Sequence, residues 1–185
     1  MVKLLRKSDY LYYARYHLSI LREGKTDCYE IHLSELHKQA EKAWYSLKRL
    51  GTDESELRKL VKMNCKYSAE RCYEKLYSGA TFNPKSCLEN LRKHLKTGGL
   101  TLKDIGRNEA ELNQIMLELY KKMALYHFNK ACEKDEFFKL NLGSVRSYLS
   151  YGSLTPKEAG IREGDLKRLE LGGYLADVSL RSKNK

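Results

Sequence analysis

The pattern Gly-x-x-Glu-x-(Glu/Asp)-Leu occurs three times, as Gly51–Leu57, Gly106–Leu112 and Gly160–Leu166, at intervals of 55 and 54 residues. Recurrence at a fixed interval points to one supersecondary unit built repeatedly, each copy burying its apolar face against a neighbour. The last two copies agree over a longer stretch. From Leu95 to Leu112 against Leu149 to Leu166, 8 of 18 positions are identical. A wider register runs through Ala14, Ala69, Ala124 and Ala176, at intervals of 55, 55 and 52. Beside these lie His17, Cys72, His127 and Ser179, then Leu18, Tyr73, Phe128 and Leu180. In this register the chain is one all-α repeat domain over 1–185, a half-unit over 1–27 followed by units 28–82, 83–135 and 136–185. The period is longer than those of tetratricopeptide, ankyrin and HEAT arrays, and their signatures are absent.

Apolar spacing supplies the helices. Leu11, Ala14, Leu18 and Leu21 recur at steps of three and four, the stripe of an amphipathic helix. Leu57, Leu60, Val61 and Asn64 open a second stripe, continued by Tyr67 or Ser68 and Cys72. Leu112, Ile115, Met116, Leu119, Met123, Tyr126 and Phe128 form a third. The expected helices are 8–23, 29–50, 53–78, 84–97, 109–133, 136–151 and 162–181. Asn83-Pro84 places a capping side chain before a first-turn proline. Thr155-Pro156-Lys157-Glu158 reads as a capping box, and Thr101–Asp104 is its counterpart one unit earlier. Gly98-Gly99 and Gly152-Ser153 follow predicted helices, where left-handed geometry favours glycine. The stretch from each to Gly106 or Gly160 is expected to hold a single helical turn. The fold class expected is all-α, stacked helical hairpins in a solenoid-like array or a compact bundle.

Composition excludes several classes. Hydrophobic residues are 42% and charged residues 32% of 185, too apolar for a disordered chain and too polar for a membrane protein. No run approaches the about 20 apolar residues of a membrane helix. The N-terminal residues lack the apolar core of a signal peptide. Five cysteines, Cys28, Cys65, Cys72, Cys87 and Cys132, form no tight framework, which predicts a reducing, cytoplasmic setting.

The net charge of +11 is uneven. Residues 1–50 carry ten Lys/Arg against six Asp/Glu, and residues 51–105 carry eleven against seven. Lys38, Lys42 and Arg49 share one predicted helix face. Arg58, Lys62 and Lys66 recur at steps of four, and Lys85, Arg92, Lys93 and Lys96 crowd a third helix. Adjacent basic stripes can track a phosphate backbone, with nearby tyrosines stacking on bases. These ten residues are the candidate nucleic-acid contacts, for RNA or DNA. The competing reading is a solvated face mixed with Glu35, Glu41, Glu54 and Glu70. An acidic protein is the other partner that such charge would suit.

Other chemistry is weakly signalled. Cys28-x3-His32 and His127-x4-Cys132 offer two ligands each, whereas structural zinc wants four. No metal, cofactor or catalytic residue is expected. Glu109 and Glu111, repeated as Glu163 and Asp165, stand where a recognition helix would meet phosphate, against a helix-turn-helix reading. Tyr10, Tyr12, Tyr13 and Tyr16 lie within one helix and cannot all be buried. The function expected is therefore non-enzymatic binding, with nucleic acid as the leading ligand for the basic surface. The alternative is a protein–protein adaptor or oligomeric scaffold using Tyr-rich faces. Gly172-Gly173 in the last helix marks a candidate self-association surface.

Overall fold

The computed structural model describes residues 6–133 and 137–172. Helix α1 spans Lys7–Glu23, α2 Tyr29–Ala43, α3 Glu54–Ser78, α4 Pro84–Gly98, α5 Glu109–Cys132 and α6 Phe138–Tyr151; α7 runs over 163–172. The described residues contain no strand. Short 3-10 turns lie at Leu47–Leu50, Leu102–Ile105 and Lys157–Ala159. The chain is thus all-helical and built of paired hairpins. Helix α1 packs along α2, α3 along α4 and α5 along α6. Two compact units result, Met1–Asn108 and Glu109–Lys185.

The small residues of the register lie at the helix contacts. Ala14, Ala69 and Ala124 are each fully buried, on α1, α3 and α5. A methyl group lets the shorter helix of each hairpin approach closely. Ala176 lies outside the described residues, as does Gly173. Along the shorter helices, Leu36, Leu91 and Val145 are buried at matching positions, followed one turn later by Ala40, Leu95 and Leu149. This arrangement is compatible with a repeat of about 55 residues. In the first unit the core gathers Ala14, Leu18, Leu21, Tyr29, Leu36, Leu50, Leu57, Leu60 and Cys65. In the second it gathers Ala124, Val145, Leu149, Ala159, Ile161 and Leu166.

The helix expected over 29–50 stops earlier than its apolar spacing suggests. Trp44 takes a left-handed conformation at φ 63°, and Tyr45 N–H donates to Ala40 O at 3.0 Å. The other hairpins end the same way. Leu100 N–H donates to Leu95 O with Gly99 at φ 58°, and Leu154 N–H donates to Leu149 O with Ser153 at φ 49°. In each case the residue after the left-handed one, Tyr45, Leu100 or Leu154, is half-buried. That combination of backbone bond and apolar contact terminates a helix by capping its last carbonyls. Trp44 hides the signal, because tryptophan is not a stop residue by composition.

The turns expected before Gly106 and Gly160 are 3-10 segments, and a further one, Leu47–Leu50, lies within the range 29–50 expected as helix. In chain order, Ser46 Oγ accepts from Arg49 N–H at the first. Asp104 Oδ2 accepts from Thr101 N–H at 2.7 Å at the second, and Glu158 Oε2 accepts from Thr155 N–H at 2.7 Å at the third. Each turn drives one apolar residue inwards, Leu50, Ile105 or Ala159. Two residues depart from the expected stripe of α5. Tyr126 faces solvent, while Tyr120 is buried.

Candidate nucleic-acid interface

The helical caps of the first unit set up a hollow on its surface. Asp53 Oδ1 accepts from Glu56 N–H at 2.7 Å and fixes the start of α3. Gly98 lets the end of α4 lie against α3, since a Cβ there would stand 2.8 Å from Cys65 Cβ. Together with α2, these ends enclose about 370 Å³ lined by Leu33, His37, Leu57, Arg58, Val61 and Lys62, with Glu54 and the Thr97–Gly99 segment at its margin. The lining combines apolar side chains, two cations and an imidazole with one carboxylate. Such a hollow can hold an anionic group at its rim and a flat or apolar moiety on its floor.

All ten sequence-predicted basic residues are solvent-exposed, but they differ in what they face. Lys38 is paired with Glu35 at 2.9 Å, Lys93 with Glu30 at 2.8 Å and Lys66 with Glu70 at 3.9 Å. Lys42 lies 5.4 Å from the Tyr10 ring centroid, and Arg49 lies 5.7 Å from that of Tyr45. Lys85 stands in the first turn of α4. Arg58, Lys62, Arg92 and Lys96 carry no ion pair among the described residues. Of the ten, the hollow brings together Arg58 and Lys62, one turn apart on α3. Lys62 and Lys66 also flank Asp104, whose carboxyl is held below its ordinary range. The Thr101 backbone N–H and hydroxyl do most of this, and the two lysines add to it.

Sequence spacing alone missed His37 and Glu54. Both had a signal. His37 follows Leu33 by one helical turn, and Glu54 precedes Arg58 by one turn. Their meeting with the Gly98–Gly99 end of α4 depends on tertiary packing. Below residue 108 the excess of base over acid is 22 Lys/Arg to 13 Asp/Glu. Neighbouring hollows have other linings. One at Arg15, Leu18, Ser19, Arg22, Glu23 and Leu50 is more open, with Arg22 paired to Glu56 at 2.9 Å. Another holds Arg107 over the Tyr73 ring at 4.7 Å, beside Glu70 and Glu74.

The two histidines weighed as metal ligands have other partners. His32 Nδ1 meets His17 Nδ1, and His127 Nδ1 meets Asn141 Oδ1, each at 2.9 Å. Among the described residues no group of three or more His, Cys, Asp or Glu is placed to hold a metal ion. No described helix is long and apolar enough to cross a membrane. Neither a family model, nor a curated protein, nor a solved structure matches the chain.

Proposed function

We propose that the protein is a non-enzymatic, cytoplasmic binding protein whose first unit contacts nucleic acid around the Arg58–Lys62 hollow. The observation that carries this reading is one hollow lined by two cations that carry no ion pair among the described residues and by the apolar Leu33, Leu57 and Val61. A guanidinium and an ammonium one turn apart can take successive phosphates. The floor beside them accepts the face of an unpaired base or a sugar. Binding of this kind releases counterions, so affinity falls steeply with salt.

The test is titration of labelled single- and double-stranded RNA and DNA of mixed sequence across a salt series. Two or three phosphate contacts give a log–log slope of about −1.5 to −2.7. No binding at low salt, or binding indifferent to salt, overturns the reading.

A specific observation favours a second reading. Tyr12, Tyr13 and Tyr16 are all exposed on α1, and Trp44 is 79% exposed with Lys7 Nζ 4.7 Å from its ring centroid. Exposed aromatics gathered near one helix suit a protein–protein adaptor, the partner being a protein surface. A stable complex with a protein, unaffected by salt, is the result this reading expects.

A further inference from the structure

His17 and His32 face each other across α1 and α2, fifteen positions apart, and His127 and Asn141 face each other across α5 and α6, fourteen apart. The matching place between α3 and α4 is held by Cys72 and Cys87, also fifteen apart. The Cys87 thiol donates to the Cys72 carbonyl at 3.4 Å, so its sulfur already lies against the Cys72 residue. Both cysteines are free and half-buried, whereas Cys65 is buried and Cys28 and Cys132 are exposed.

We propose that Cys72 and Cys87 are a reversible dithiol–disulfide pair that cross-links α3 to α4, with a low-molecular-weight disulfide as the oxidant. The two residues have unequal roles. Hydrogen bonding from the Cys72 thiol brings Cys87 down to about 7, against burial and with help from Lys75. Cys72 is pushed up, by that same hydrogen bond first and then by burial. Cys87 is therefore the attacking thiolate. It attacks one sulfur of the small disulfide, breaks that S–S bond and releases a small thiolate. The Cys72 thiol then loses its proton and attacks Cys87 Sγ in the mixed disulfide, expelling the second small thiolate. The two protons given up by the cysteines end on the two released thiols. The small disulfide is reduced to two thiols as the protein dithiol is oxidised, so electrons and atoms balance.

The test is equilibration of the full chain in reduced and oxidised glutathione at graded ratios. Acid quench, alkylation and peptide mass spectrometry then report the state of each thiol. The expected result is a Cys72–Cys87 linked peptide pair, lighter by two hydrogens and reopened by a reducing buffer. In Cys72→Ser, Cys87 is expected to stop at the mixed disulfide with glutathione. In Cys87→Ser, Cys72 is expected to remain alkylatable at poises that fully oxidise the wild type. Glutathione adducts confined to Cys28 and Cys132, with Cys72 and Cys87 both still alkylated, would overturn the proposal. So would a persistent Cys87 mixed disulfide in the wild-type chain.

Discussion

The Nδ1 atoms of His17 and His32 stand 2.9 Å apart. At that distance one nitrogen must carry a proton and the other must be bare. The bare Nδ1 therefore cannot take up a proton without breaking the bond between α1 and α2. The pair sits in the same place as His127–Asn141 and Cys72–Cys87. Each hairpin thus sets a polar contact at this place.

The histidine pair gives the protein a pH dependence. Burial lowers the His17 pKa from its ordinary 6.5, and His32 lowers it further, with Glu35 opposing. Below 6.5 the unfolded chain binds a proton that folded His17 resists, so stability falls with pH there and is fully present above. Urea midpoints are expected to drop between pH 7.5 and pH 5.5, and the drop to shrink in His17→Asn. An equal drop in the variant would show that other groups cause it.

Asn64 joins the α1–α2 loop to α3. It is fully buried, donates to Leu21 O and Leu60 O at 2.8 Å, and accepts from Thr26 N–H at 3.2 Å. Asn64→Leu leaves the half-buried Thr26 N–H without its acceptor, whereas the Leu21 carbonyl keeps the Gly24 N–H at 3.2 Å. One such group costs about 1–3 kcal/mol, so the expected loss in chemical denaturation is about 1–3 kcal/mol. A loss below about 0.5 kcal/mol would mean that water or backbone movement satisfies the Thr26 N–H.

Trp44 holds the left-handed position that Gly99 holds in the next hairpin. A side chain at that backbone geometry costs about 1 kcal/mol relative to glycine. Against this, the exposed Lys7 contact is worth about 0.5 kcal/mol. Trp44→Gly is therefore expected to raise the thermal midpoint slightly or leave it unchanged, despite removing the single tryptophan. A fall of several degrees would show that the indole packs more than its exposure suggests.

Charge reversal separates the basic residues by their surroundings. Arg58→Glu with Lys62→Glu is expected to weaken nucleic-acid binding and flatten the salt slope by about 2. Lys66→Glu is expected to do less, because Lys66 lies outside the hollow and is paired with Glu70 at 3.9 Å. Equal effects at all three positions would remove the special role of the hollow.

The apolar stripes through Leu18, Leu57 and Leu112, the caps at Asn83 and Thr155 and the buried Ala14, Ala69 and Ala124 were legible because local backbone chemistry and helical period dictate them. Exposure of the ten basic residues followed from the same period. The candidate site was legible only as the row Arg58–Lys62–Lys66 on one helix face. His37, Glu54 and the Gly98–Gly99 end of α4 joined it through packing between segments far apart in the chain, which no local pattern encodes. Trp44 shows the same limit. Its left-handed stop is imposed by the hairpin it closes, and nothing in its own side chain asks for it. The residue register determined which positions correspond. Only the tertiary structure decided that those at 17 and 32, 72 and 87, and 127 and 141 meet, because contact across a hairpin depends on how two helices are rotated about their axes, and the burial of both seams fixes that rotation together.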